Sequence, residues 1–245
     1  MFEQLIDIPT ADGAMNSFVA HPDEGGPHPV VLFYMDAPGF REELRDMARR
    51  LASAGYVVVL PNLYYRRTRD WFLPERTEPH LAHMFGLMAS LNRQTNAVDT
   101  RAMLDWVDRC PAADATRVAA VGYCMSGPFV VWAGADFAPR LLAIASIHGA
   151  NMATEGPDSP ARVAAQLRCE SYFACAEIDK WASPADIAQL QQGLQASGSR
   201  HRIEWYPKVE HGFVFPQRAI YDKPASERHW ERLHALFGRC LRPWA

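Results

Sequence analysis

The chain has 245 residues, 49% hydrophobic and 22% charged, with a formal net charge of −3 at pH 7. This is globular composition with material for a sizeable core, and its mild acidity gives no reason to expect a nucleic-acid partner. No stretch approaches 18 uninterrupted apolar residues, and "MFEQLIDIPTADG" has no basic start leading into an apolar run, so neither a membrane span nor a signal peptide is expected.

In chain order, "EQLIDIPTADGAMNSFVAHP" alternates around Asp12-Gly13 and predicts an N-terminal β-hairpin. "PVVLFYMD" is a continuous apolar run, the signature of a buried parallel strand. "REELRDMARRLASAG" puts Leu44, Met47, Ala48 and Leu51 on one helical face and ends at Gly55. "YVVVLPNLY" is a second buried strand. Residues 65 to 80 mix aromatic, charged and proline residues without a period and read as a loop. The basic cluster Arg66, Arg67 and Arg69 within it reads as a solvated surface. Tyr64, Tyr65, Trp71 and Phe72 fit either an apolar pocket or a satellite core.

"NAVDTRAMLDWVDRC" is the clearest part of a helical region. "TRVAAVGYC", "LLAIASIHG" and "CESYFACAEID" supply three more strands. "SPADIAQLQQGLQASG" is a helix with Ser183 as its cap, "RIEWYPKVEHGF" follows, and "SERHWERLHALFGRCL" closes the chain as an amphipathic helix. Strands alternating with helices predict an α/β fold with a mostly parallel central sheet flanked by helices. With no repeat, linker or composition shift, one domain over residues 1–245 is expected. In such sheets, function gathers at the carboxyl ends of the strands. Here these ends are Asp36, Cys124, His148, Asp179 and, in a following turn, His211.

Five scattered cysteines, Cys110, Cys124, Cys169, Cys175 and Cys240, with no CxxC pair, argue against a disulfide framework or a structural zinc site. They fit a reducing compartment, and the cytoplasm is the expected location. Cys169 and Cys175 share one strand face and read as core. His80 and His83, three apart, have no third partner at metal-ligand spacing.

Cys124 stands apart, in "VAAVGYCMSGPFVVW". A nucleophile between strand and helix must project sharply, which crowds the positions two before and two after it. Gly122 and Ser126 fill those positions with small residues. The turn sets the sulfur near a helix N-terminus, which favours thiolate, and frees the Met125 N–H for a developing oxyanion. A lone cysteine in isolation reads as structural core. Asp179 and His211, following in the order nucleophile, acid, histidine, reverse that reading.

"PVVLFYMDAPGF", "RDMARRLASAGYVVVLPNLY", "RVAAVGYCMSG", "AEIDKWASP" and "WYPKVEHGF" resemble the dienelactone hydrolase family of α/β-hydrolases along essentially the whole chain. The resemblance implies Cys124 as nucleophile, His211 as base and Asp179 as its orienter. It implies the Ala37 N–H as second oxyanion donor, no cofactor, and a monomer or homodimer acting on a small ester or lactone. Three departures stand out. Ser126 replaces a usual glycine. Asp36 stands where glutamate near the nucleophile is common. Phe215 occupies the place of an arginine that would hold a substrate carboxylate, with Arg218 three residues further on. Ser126, Asp36, His148, Phe213 and Phe215 are therefore expected to line the site, for an ester or lactone other than dienelactone. A thioesterase or acyltransferase would share this machinery. The alternative from another class is a ligand-binding or redox-sensing protein on a hydrolase scaffold.

Overall fold

The alternation around Asp12-Gly13 forms a hairpin in the computed structural model, which describes residues 1–242. β1 (Phe2–Thr10) and β2 (Gly13–His21) run antiparallel, with Thr10 opposite Gly13. The next apolar runs, β3 (His28–Tyr34) and β4 (Val57–Pro61), pair in parallel, and β2 lies antiparallel to β4. Between them, α1 (Glu42–Ser53) buries Leu44, Met47, Ala48 and Leu51, a spacing of three, one and three that makes one stripe, and packs on β2 and β4. Gly55 follows the helix at φ +97°, where a side chain would be strained, so the chain leaves α1 sharply there.

The irregular stretch departs in part from its expected loop. It is turns and bends only as far as Thr77. Glu78, Pro79 and His80 already belong to α2 (Glu78–Met88). Proline costs nothing in a first helical turn, and this helix buries only Met84 and Leu87, so no apolar period announced it. α3 (Arg93–Val107) begins earlier than its clearest part because Asn92 and Thr95 cap each other reciprocally. The basic cluster pairs with carboxylates: Arg66 with Asp12 and Asp99, and Arg69 with Asp7. Tyr64 is fully buried, and Trp71 packs on both Tyr64 and His83.

The chain forms two compact units, Met1–Val118 and Ala119–Arg242, divided within β5 (Ala113–Tyr123). The second continues with α4 (Gly127–Asp136), β6 (Leu141–Ile147), the single turn α5 (Pro160–Val163) and β7 (Glu170–Ile178). α6 (Pro184–Ser197), β8 (His201–Glu210) and α7 (Lys223–Leu241) complete it. β6, β7 and β8 pair in parallel; α4 packs on β6, and α7 on β6 and β7. Ser183 caps α6 in a reciprocal box with Asp186, and Asp222 starts α7 by accepting from the Ala225 N–H at 2.8 Å. The strand order is β1-β2-β4-β3-β5-β6-β7-β8, a mostly parallel sheet with an antiparallel hairpin at its start. Among the described residues, no helix is long and apolar enough to cross a membrane.

Candidate active site

β5 is buried continuously from Val118 to Tyr123, then stops at a backbone reversal. Cys124 sits there at φ +55°, and a short 3₁₀ turn, Cys124–Ser126, leads into α4. Holding a non-glycine residue in that region costs on the order of 1–3 kcal/mol and persists only where the surroundings enforce it. The turn is tight enough that a Cβ on Gly122 would lie 2.3 Å from the Ser126 carbonyl oxygen. Ser126 is itself fully buried, and Pro128 occupies the first turn of α4. Cys124 is half-buried, whereas Cys169 and Cys175 are buried, and burial pushes both thiols up to about 12.

The acid and the histidine come from two neighbouring parallel strands. Ile178 at the end of β7 pairs with Glu210 at the end of β8, so Asp179 and His211 emerge side by side. The His211 backbone N–H donates to the Ile178 carbonyl at 3.2 Å, which fixes the turn. His211 Nδ1 lies 2.7 Å from Asp179 Oδ2, with side chains only 11% and 2% exposed. Asp179 Oδ1 accepts from the Trp181 N–H at 2.8 Å, so both carboxylate oxygens are held. His211 Nε2 is buried and makes no hydrogen bond of normal length and angle. Burial alone would lower the His211 pKa. The electrostatic influence of the neighbouring Cys124 and the bond to Asp179 outweigh it and push the ring up to about 9.

His148 follows β6 and is 1% exposed, at φ +39°. Its ring lies edge-to-face with His211, centroids 4.8 Å apart. Phe213 and Phe215, expected to line the site, are both fully buried. They pack on His148 at 5.7 and 5.6 Å and form a wall behind the histidines rather than an open surface. Arg218 covers Phe215, its guanidinium 4.3 Å from the ring centroid. Arg218 Nη1 also lies 2.3 Å from where a Gly212 Cβ would sit, which puts a cation beside the residue after His211.

Cys124, Met125, Ser126, His148, Asp179, His211, Phe213 and Phe215 all belong to the second unit. Asp36 and Ala37 belong to the first. Asp36 is fully buried and paired bidentately with Arg41, at 2.5 and 3.2 Å, and Arg41 also binds Glu43 at 2.6 Å. Its charge is thus compensated within its own loop. The Ala37 carbonyl accepts from Tyr64 Oη at 2.9 Å.

A mostly parallel sheet with a strained turn after β5, an acid after β7 and a histidine after β8 is the arrangement of the α/β-hydrolase fold. The chain belongs to the dienelactone hydrolase family, whose model matches residues 15–241. A Synechocystis protein named "Putative carboxymethylenebutenolidase" is 27% identical over 243 residues, covering 95% of each chain. A Yersinia pestis protein of the same name is 27% identical over 233 residues, covering 92% of this chain and 84% of its own. The crystal structure of a Klebsiella pneumoniae protein titled "Putative Dienelactone Hydrolase" superposes with a TM-score of 0.87 at 25% identity, covering 97% of this chain and 98% of its own.

Proposed function

We propose that this protein hydrolyses a carboxylic ester or lactone through an acyl-enzyme on Cys124. The observation that carries the reading is geometric. A half-buried cysteine stands in a left-handed turn after β5, and in the same unit a histidine with a buried, unbonded Nε2 is held on its other nitrogen by a nearly buried carboxylate at 2.7 Å. In this reading the Cys124 thiolate attacks the carbonyl carbon, and the oxyanion takes the Met125 N–H, with the Ala37 N–H as the second donor the family resemblance implies. The tetrahedral intermediate collapses to a thioester as His211 passes its proton to the leaving oxygen. His211 then takes a proton from water, which attacks the thioester and frees Cys124. Asp179 holds the His211 tautomer and supports the imidazolium. Of the alternatives, a redox-sensing or ligand-binding role needs the thiol but has no use for Asp179 behind the histidine, so the hydrolytic reading is preferred.

The names of the relatives bring the carboxymethylenebutenolide class to this chain. That lactone carries a carboxylate, so we place the substrate beside the class, among uncharged esters or lactones, since Phe215, which by the resemblance stands where an arginine would hold the carboxylate, is fully buried. The test is pre-steady-state turnover of an activated aryl ester. A stoichiometric burst followed by steady turnover, both lost in Cys124→Ala, is expected. Labelling that stops at one equivalent would identify a sensor instead.

A further inference from the structure

Behind the His211–Asp179 pair lies a small cavity within the second unit. Ser146, His148 and Asp179 provide its main polar lining, and apolar side chains and the Cys175 thiol provide most of the rest. It leaves about 10 Å³ for the centre of a water molecule, which is room for one. A buried water also needs two to four polar partners, and the lining supplies them. Both ring nitrogens of His148 are buried, and neither makes a hydrogen bond of normal length and angle to another residue. A neutral imidazole carries one N–H donor and one acceptor, so the ring has both to offer. Ser146 Oγ is buried and reaches only the Met152 sulfur, at 4.0 Å, a weak contact. Each Asp179 oxygen accepts one protein hydrogen bond and has a second lone pair.

Burying an imidazole with both nitrogens unsatisfied is unfavourable, and a phenylalanine would fill such an aromatic wall without that cost. His148 is held there nonetheless, in a strained backbone, against the ring of His211. We propose that the cavity binds one ordered water that accepts from His148 and donates to Asp179, with Ser146 as its third partner, making His148 a positioning residue for the His211–Asp179 pair. The water adds a third hold on a carboxylate already bound by Trp181 and His211, and the edge-to-face contact fixes the ring that the carboxylate holds. His148 moves no proton in the reaction. Burial, with the charges of His211 and Arg218 nearby, keeps it neutral. The kinetic part of this proposal rests on the hydrolytic reading above; the water and the geometry do not.

The experiment combines a crystal structure at about 1.5 Å, where ordered water is visible, with proton NMR of the His211 Nδ1–H at pH 7 and steady-state kinetics. His148→Phe keeps the ring and removes the nitrogens; His148→Gln keeps a donor and an acceptor. The wild type is expected to show one water within hydrogen-bond distance of His148 and Asp179. In His148→Phe, the water is lost, the downfield Nδ1 proton resonance moves, and kcat falls about 3- to 10-fold with KM unchanged, the worth of one hydrogen bond. His148→Gln keeps the water and stays within about 2-fold of wild type. A dry cavity in the wild type, or an unmoved resonance in His148→Phe, would overturn the proposal. Should His148→Phe not fold, Ser146→Ala removes another partner of the same water and must move the same resonance; if it does not, the proposal fails. A wild type inert toward esters, with water and resonance in place, would instead defeat the hydrolytic reading alone.

Discussion

Replacing Asp179 with Asn keeps the side-chain shape and removes its charge. Trp181 N–H already claims Oδ1, so the amide oxygen stays there and the NH₂ group turns toward His211. An NH₂ cannot accept from Nδ1–H, so the ring is driven to the tautomer with its proton on Nε2, the side from which it must act as base. The lost bond joins two nearly buried groups at 2.7 Å, one of them charged. Such bonds are worth about 1.5–3 kcal/mol, which is roughly 10- to 150-fold in kcat and about 1–2 units in the His211 pKa. His211 starts at about 9, so its alkaline titration moves toward the neutral range. The leaving group needs the protonated ring, so the alkaline limb of kcat/KM must move down with it. Stability follows the same sign. A histidine whose pKa is raised on folding stabilises fully below its ordinary value of about 6.5, and that contribution fades as pH rises to about 9. In Asp179→Asn, the fading is complete at lower pH. The assay is kcat/KM for an aryl ester from about pH 5 to about pH 11, with Tm over the same range. An Asp179→Asn enzyme whose alkaline limb stays where the wild type has it would show that Asp179 does not hold the His211 proton.

Three further outcomes are expected. Gly122→Ala puts a methyl group 2.3 Å from the Ser126 carbonyl oxygen, so the turn must open; Tm should fall by an amount reflecting about 1–3 kcal/mol, and turnover should fall with it, both measured on the same preparation. Arg41→Leu removes the guanidinium that binds the buried Asp36 and Glu43 carboxylates and should cost about 3–5 kcal/mol in urea unfolding; a loss below about 1 kcal/mol would show that these ion pairs are not needed. Dienelactone should be a poorer substrate than its methyl ester by about 10-fold or more in kcat/KM. A preference for the free acid that disappears in Arg218→Ala would assign carboxylate binding to the arginine stacked on Phe215.

The parts of this molecule legible in its sequence are those set by local periodicity and turn chemistry. The hairpin at Asp12-Gly13, the buried stripe of α1 and the Ser183 cap each follow from a few adjacent residues. The turn at Cys124 was legible too, because crowding demands small neighbours at fixed offsets, and Gly122 and Ser126 supply them. α2 was partly missed, since a helix that buries only Met84 and Leu87 leaves no apolar period. The sequence leads to the expectation that Asp36 lines the site but gives no sign of its ion pair. Arg41, which binds it, lies five residues away across a loop, a spacing that carries no signal. Phe213 and Phe215 stand next to His211 in sequence, but only the packing around His148 sends both rings inward. The unsatisfied nitrogens of His148 depend on every element around it, so no sequence pattern could have shown them.

The central claim is a covalent intermediate on Cys124. Its most direct test is rapid acid quench of the enzyme during turnover of an aryl ester, followed by intact mass and peptide mapping. One acyl group per chain is expected, on Cys124 and released by hydroxylamine as a thioester. An acyl group on another residue, or steady turnover by Cys124→Ala near the wild-type rate, would contradict it.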